Sequence, residues 1–251
     1  MIIDGPILDK IKVQMNSDSL EYPFSLPIIK NLKDISFSTQ VTFIVGENGT
    51  GKSTLLEAIA AKCGFGSEGG SKNVSFKTTD RIHAEQSNSL AAKFTLSWRK
   101  KPRDGYFFRA ETFFNLANHL EQMSKEIGGS ATFDSYGTKS LHEQSHGESF
   151  LSFFNNRLGE SGFYILDEPE AALSPQRQLS LLKIINDLSK YPESQFIIAT
   201  HSPILLAYPG ATIYSCDGAT LEKVAYEETK HYEITKGFLD NPQRYLQHLF
   251  S

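Results

Sequence analysis

Cysteine is almost missing from this chain: Cys63 and Cys216 are the only two in 251 residues, far apart and without CxxC spacing. That scarcity excludes a disulfide framework and a thiolate zinc site, and fits a reducing compartment. Long apolar runs are missing as well. The longest, such as FIIA and ILLAY, fall far short of the about 20 residues a membrane span needs. The start, MIIDGPILDK, has no basic segment followed by an apolar stretch, so it does not read as a leader. No sign of charge dominates, because a net charge of −4 is small for this length and draws the chain neither to nucleic acid nor to anionic lipid. Heptads sustained over several turns are also lacking. What remains is 39% hydrophobic and 22% charged, enough to bury a sizeable core. The expectation is a soluble, cytoplasmic chain forming one domain over residues 1–251, meeting a membrane only through a partner.

The strongest signal is VTFIVGENGTGKST at 41–54. The β-branched and aromatic run Val41 to Val45 reads as a buried strand, GENGTGKS matches G-x-x-x-x-G-K-[ST] without a gap, and LLEAIAAKCG continues as a helix. Gly46, Gly49 and Gly51 let consecutive backbone N–H groups face phosphates at a helix N-terminus, where the partial positive charge favours anions. Gly46, Glu47, Asn48, Gly49, Thr50, Gly51, Lys52, Ser53 and Thr54 are thus expected to cradle ATP. Lys52 supplies a charge to the β- and γ-phosphates, and Ser53 a hydroxyl to Mg²⁺.

Two further apolar runs end in chemistry-bearing residues. FYILDEPE at 163–170 reads as a strand with Asp167 at its carboxyl end, where doubly wound sheets bind ligands. Asp167 is placed to hold the Mg²⁺ water shell, and Glu168 to polarise the attacking water as general base. QFIIATHSP at 195–203 ends in His201, which alone reads more simply as a turn residue than as a catalytic one. Upstream, SHGES at 145–149 reads by itself as a capped helix start, a Ser with a Glu three residues on.

In order, GENGTGKST, QSHGE, YILDEPE, AALSP and ATHSP resemble the P-loop, signature, Walker B, D-loop and switch His of the ABC-type ATPases. That superfamily is shared by transporter motor subunits and by SMC-, RecF- and OLD-like proteins. The resemblance covers about residues 22–207. It implies an α/β P-loop fold with a mixed sheet, an antiparallel β subdomain and a small helical subdomain, assigned here to 112–150. It also implies ATP hydrolysis with Lys52, Glu168 and His201 as catalytic residues, and a head-to-tail homodimer around two nucleotides. In that dimer Ser145 and Gly147 would meet the γ-phosphate bound by the second copy, with His146 departing from the family's Gly. The Gln that such proteins place between P-loop and signature is missing from its usual setting. Glu111, at the end of GYFFRAE, is the favoured substitute as a metal-site residue, and Gln86 the other candidate, in a stretch read as loop.

Around this core, GFGSEGGSKN at 64–73 reads as a loop, and KFTLSWRKKPRDGYFFRAE as a hairpin turning at Lys-Pro-Arg-Asp-Gly. Arg99, Lys100, Lys101 and Arg103 at that turn form either a solvated tip or a nucleic-acid contact. The tail reads as a strand-like start and a terminal helix after Asn241-Pro242. The short stretch before the signature favours a stand-alone RecF-like ATPase driving an unidentified protein or nucleic-acid partner. The alternative is the motor subunit of a membrane transporter.

Overall fold

The computed structural model describes residues 5–15, 21–66, 69–71, 74–75, 81–110 and 146–250. Strands β1 (Leu8–Val13) and β2 (Ile35–Ser36), then β3 (Val41–Val45), lead into α2 (Lys52–Cys63), with the single turn α1 (Pro27–Lys30) between β1 and β2. Short strands β4 (Gly70–Ser71) and β5 (Val74–Ser75) follow, then α3 (Arg81–Ala91), β6 (Phe94–Trp98) and β7 (Gly105–Arg109). After the undescribed stretch come α4 (His146–Arg157), β8 (Gly162–Asp167), α5 (Pro175–Ser189), β9 (Ser194–Ala199) and α6 (Pro203–Leu206). The chain closes with β10 (Thr212–Ser215), β11 (Glu222–Lys223), α7 (Lys230–Asp240) and α8 (Pro242–Leu249).

Eight strands form one sheet in the order β11-β10-β3-β9-β8-β7-β4-β5. Its centre, β10 through β7, is parallel, and the short strands at both edges run antiparallel. The sequence explains why these strands lie inside. VTFIV, GFYILD and SQFIIA are buried at every position, as parallel strands covered on both faces must be. Alternate residues serve alternate faces. Phe107, Ile165 and Ile197 join α2 residues Leu55, Leu56 and Ile59 in one apolar cluster. Their neighbours Phe108, Leu166 and Ile198 join Phe150, Phe153 and Phe154 of α4 and Leu181 and Ile185 of α5 in the other.

A second sheet, β2-β1-β6, is antiparallel and lies on the α2 side. Its seam with the large sheet is mainly apolar, with Trp98 edge-on to Phe163 at 5.2 Å, and carries one fully buried polar contact. The Gln195 side chain accepts from Leu8 N–H at 2.7 Å and donates to Leu8 C=O at 3.3 Å.

Three expectations are corrected here. β6 and β7 do not form a hairpin: β6 pairs with β1 in the small sheet, while β7 pairs with β8 in the large one. The Lys-Pro-Arg-Asp-Gly segment therefore crosses between sheets. Just before it Arg99 is ion-paired with Asp9 and Lys100 with Glu193, an arrangement that fits a solvated crossing. Gln86 lies in helix α3, not in a loop; that helix packs on α2, with Ser87 donating to Glu57 at 2.8 Å. Part of 64–73 is strand, since Gly70 pairs with Phe107.

Candidate functional site

The loop between β3 and α2 is shaped by two close approaches. Gly51 has φ +100°, and a Cβ there would stand 3.0 Å from Ile28 and 3.2 Å from Leu26, so only glycine starts α2 in this position. Gly46 passes so near Cys216 that a Cβ would come within 2.9 Å of the cysteine Cβ. Burial pushes the Cys216 thiol up to about 12, so it serves as packing rather than as a nucleophile.

Lys52, the first residue of α2, is buried, and its ammonium donates to the carbonyls of Gly46 at 2.7 Å and Glu47 at 3.0 Å. Desolvation lowers its pKa, and Glu168 and Asp167 oppose that shift. Thr50 closes the loop by donating to Glu47 C=O, and Asp217 accepts the Glu47 N–H at 3.0 Å. Asn48, Gly49, Gly51, Lys52, Ser53 and Thr54 line an open cleft of about 180 Å³ with Tyr22, Leu26 and Glu168. Ligand pockets usually measure about 300–1,000 Å³, so this cleft takes only part of a nucleotide.

Across from the loop, β8 ends in Asp167. Ser53 Oγ donates to Asp167 Oδ1 at 3.2 Å, while Arg109 at the end of β7 bridges Glu57 at 2.8 Å and Asp167 at 3.6 Å. Burial pushes the Asp167 carboxyl up to about 7 against the pull of Arg109. A hydroxyl and a buried carboxyl at this spacing fit the few protein oxygens that a phosphate-bound Mg²⁺ takes.

Glu168 sits at the turn after β8 with φ +50°, the one non-glycine positive φ among the described residues. Strain of this kind, on the order of 1–3 kcal/mol, persists only where the surroundings fix it. Here the Glu168 N–H is held by Ala199 C=O at 3.0 Å. Its carboxylate lies 3.3 Å from His201 Nε2, in the segment following β9. The His201 backbone N–H donates to Glu170 at 2.6 Å, and burial raises the Glu170 pKa. The other ring nitrogen, Nδ1, is 2.9 Å from His231 Nε2 on α7. Burial and His201 lower the His231 pKa, which favours a neutral ring.

The structure thus brings together Lys52, Ser53, Asp167, Glu168 and His201. Glu111 and Ser145 lie outside the described residues, and Gly147 falls in the first turn of α4. Sequence reasoning missed Arg109, Glu170, Asp217, Tyr22 and His231. Arg109 is marked only by its place at a strand's carboxyl end, and Glu170 only by its place in EPE. Tyr22, whose hydroxyl meets Thr54 Oγ1 at 2.8 Å, and His231 carry no local signal.

A phosphate-shaped loop at a helix N-terminus, with an Asp-Glu pair on the adjoining sheet, defines a P-loop ATPase. The AAA domain family model matches residues 24–192, and the chain belongs to that family. Among curated proteins, it is 27% identical to the tungstate uptake system ATP-binding protein of Campylobacter jejuni over 211 residues, covering 82% of this chain and 61% of that protein. It therefore spans about three fifths of that relative's length. The tungstate uptake system ATP-binding protein of Peptoclostridium acidaminophilum is 23% identical over 202 residues, covering 76% and 88% of the two chains. Among solved structures, an inward-facing metal-chelate type ABC transporter matches with a TM-score of 0.50 at 12% identity, covering 90% and 86%, a likeness of fold alone. No helix among the described residues is long and apolar enough to cross a membrane.

Proposed function

We propose that this ATPase is an ATP-gated switch in which two copies close head to tail around nucleotide and reopen after hydrolysis. The observation that carries the reading is the approach of Glu168 to His201 at 3.3 Å, beside Lys52 and the Ser53–Asp167 pair. In it Lys52 exchanges its loop carbonyls for the β- and γ-phosphates. Ser53 and Asp167 would hold Mg²⁺, which when bound neutralises phosphate charge. Glu168 accepts a proton from water as the water oxygen bonds to the γ-phosphorus, and the bond to the β–γ bridging oxygen breaks to release ADP. His201 steadies the γ-phosphate. Ser145 and the α4 N-terminus supply the second copy's contribution.

The partner this switch drives is proposed to be a membrane transporter. Both curated relatives are named ATP-binding proteins of tungstate uptake systems, which favours a motor subunit over the stand-alone ATPase read from the sequence. The stand-alone reading keeps one argument, the shortness of the 111–145 stretch available for gripping a partner.

Glu168→Gln tests the chemistry and the partner together. It keeps the shape of the side chain but removes the base, so ATP should still bind while turnover falls about 10²–10⁴-fold. Captured with ATP from detergent-solubilised membranes, this variant should bring down an integral membrane protein. Turnover at the parental rate overturns the role of Glu168; a closed dimer that captures no membrane protein returns the choice to the stand-alone ATPase.

A further inference from the structure

The switch-histidine position is occupied by two histidines, and the second comes from the far end of the chain. His231 lies in the first turn of α7, and its ring stacks obliquely on that of His201, with centroids 5.0 Å apart. The contact is built rather than incidental. Thr229, buried, caps α7 by accepting from Tyr232 N–H at 3.3 Å. Tyr226, in the preceding 3₁₀ turn, donates its hydroxyl to Pro203 C=O at 2.9 Å, two residues beyond His201. Tyr226 and Tyr232 pack ring to ring at 4.6 Å. The segment carrying His231 is therefore ordered within itself by the cap and the ring pair, and fastened to the segment carrying His201 by the Tyr226–Pro203 hydrogen bond beside the imidazole pair.

From this geometry we infer that His231 is a positioning residue for ATP hydrolysis, donating from Nε2 to His201 Nδ1 and so fixing the proton of His201 on Nε2. The reasoning is one of proton bookkeeping. His201 Nε2 faces the Glu168 carboxylate at 3.3 Å, and a lone pair there would oppose the negative charge. With its proton on Nε2, His201 accepts at Nδ1, and among the described residues the group that meets Nδ1, at 2.9 Å, and can donate to it is His231 Nε2–H. Nε2–H is also the form that can donate to a γ-phosphate oxygen. A histidine whose second nitrogen is held this way keeps one tautomer and one ring orientation; in metal sites, losing such an outer partner typically costs about 10–100-fold.

This inference rests on the proposed hydrolytic role of His201, and its test separates the two. In the full chain, His231→Phe should lower kcat about 10–100-fold with KM for ATP within about twofold. His231→Gln, whose side-chain amide can donate to Nδ1, should recover most of the loss. Nitrogen-15 NMR of the imidazoles should find His201 of the parent protonated on Nε2, and a tautomer mixture in His231→Phe. A parent that does not hydrolyse ATP overturns the function while leaving the tautomer measurement standing. Parental kcat in a folded His231→Phe, or a His201 proton on Nδ1 in the parent, overturns the positioning role. Should His231→Phe fail to fold, His231→Gln and the parent spectrum decide.

Discussion

Asp167 shows how a single residue trades stability for a site. Its carboxyl would ionise near 3.8 in the unfolded chain but only at about 7 when folded. Between those values the folded protein binds the extra proton, so stability falls as pH rises through that window. Ionising Asp167 inside the apo protein therefore costs about 4 kcal/mol. Asp167→Asn should remove most of this tilt, leaving apo protein that melts higher than the parent at pH 8 and by a smaller margin at pH 5, by scanning calorimetry. An unchanged difference between the two pH values would place the cost elsewhere. The same residue scale sets the limit of sequence reasoning at the site. Lys52, Ser53, Asp167 and Glu168 could be picked out as candidates because each sits in a motif of residues close in sequence. Arg109 and His231 were not, because each acquires its partner only when distant strands or the tail fold against the loop.

At the scale of elements, α4 is held by its aromatic face. Phe153 is fully buried, with its ring 5.1 Å from Tyr106 and 5.8 Å from Phe108. Phe153→Ala should destabilise the protein by about 3–5 kcal/mol in denaturant titration, while Leu151→Ala, on a partly buried position of the same helix, should cost less. Equal effects would show that the helix is not anchored by this face. The parallel strands were readable because burial on both faces leaves near-continuous apolar runs, as in FYILD and FIIA. The pairing of β6 and β7 was misread for a physical reason: two strand-like runs joined by a Pro-Gly turn look like a hairpin whether or not they share a sheet. Nothing local to KKPRDG records that β1, some 90 residues earlier, has already claimed β6. Helix α7 escaped notice because none of its side chains is buried, so no strong apolar stripe announces it.

For the whole molecule, the proposed composite site makes a complementation test available. Ser145→Arg should leave ATP binding by the monomer near normal but block ATP-dependent dimerisation, and Lys52→Ala should abolish tight ATP binding. Mixed, the two inactive variants would form a dimer with both lesions in one site and an intact second site, so part of the parental turnover should return. No recovery at any mixing ratio, with mixed dimers seen by native mass spectrometry, would leave SHGES as a helix cap. The seam at Gln195 bears on where such a dimer can yield. Its amide holds both the N–H and the carbonyl of Leu8 in a place without water, so sliding the small sheet would orphan two buried backbone groups at about 1–3 kcal/mol each. That makes the contact a rivet between the two sheets, and the compliance by which the proposed switch would turn nucleotide chemistry into displacement is expected away from it.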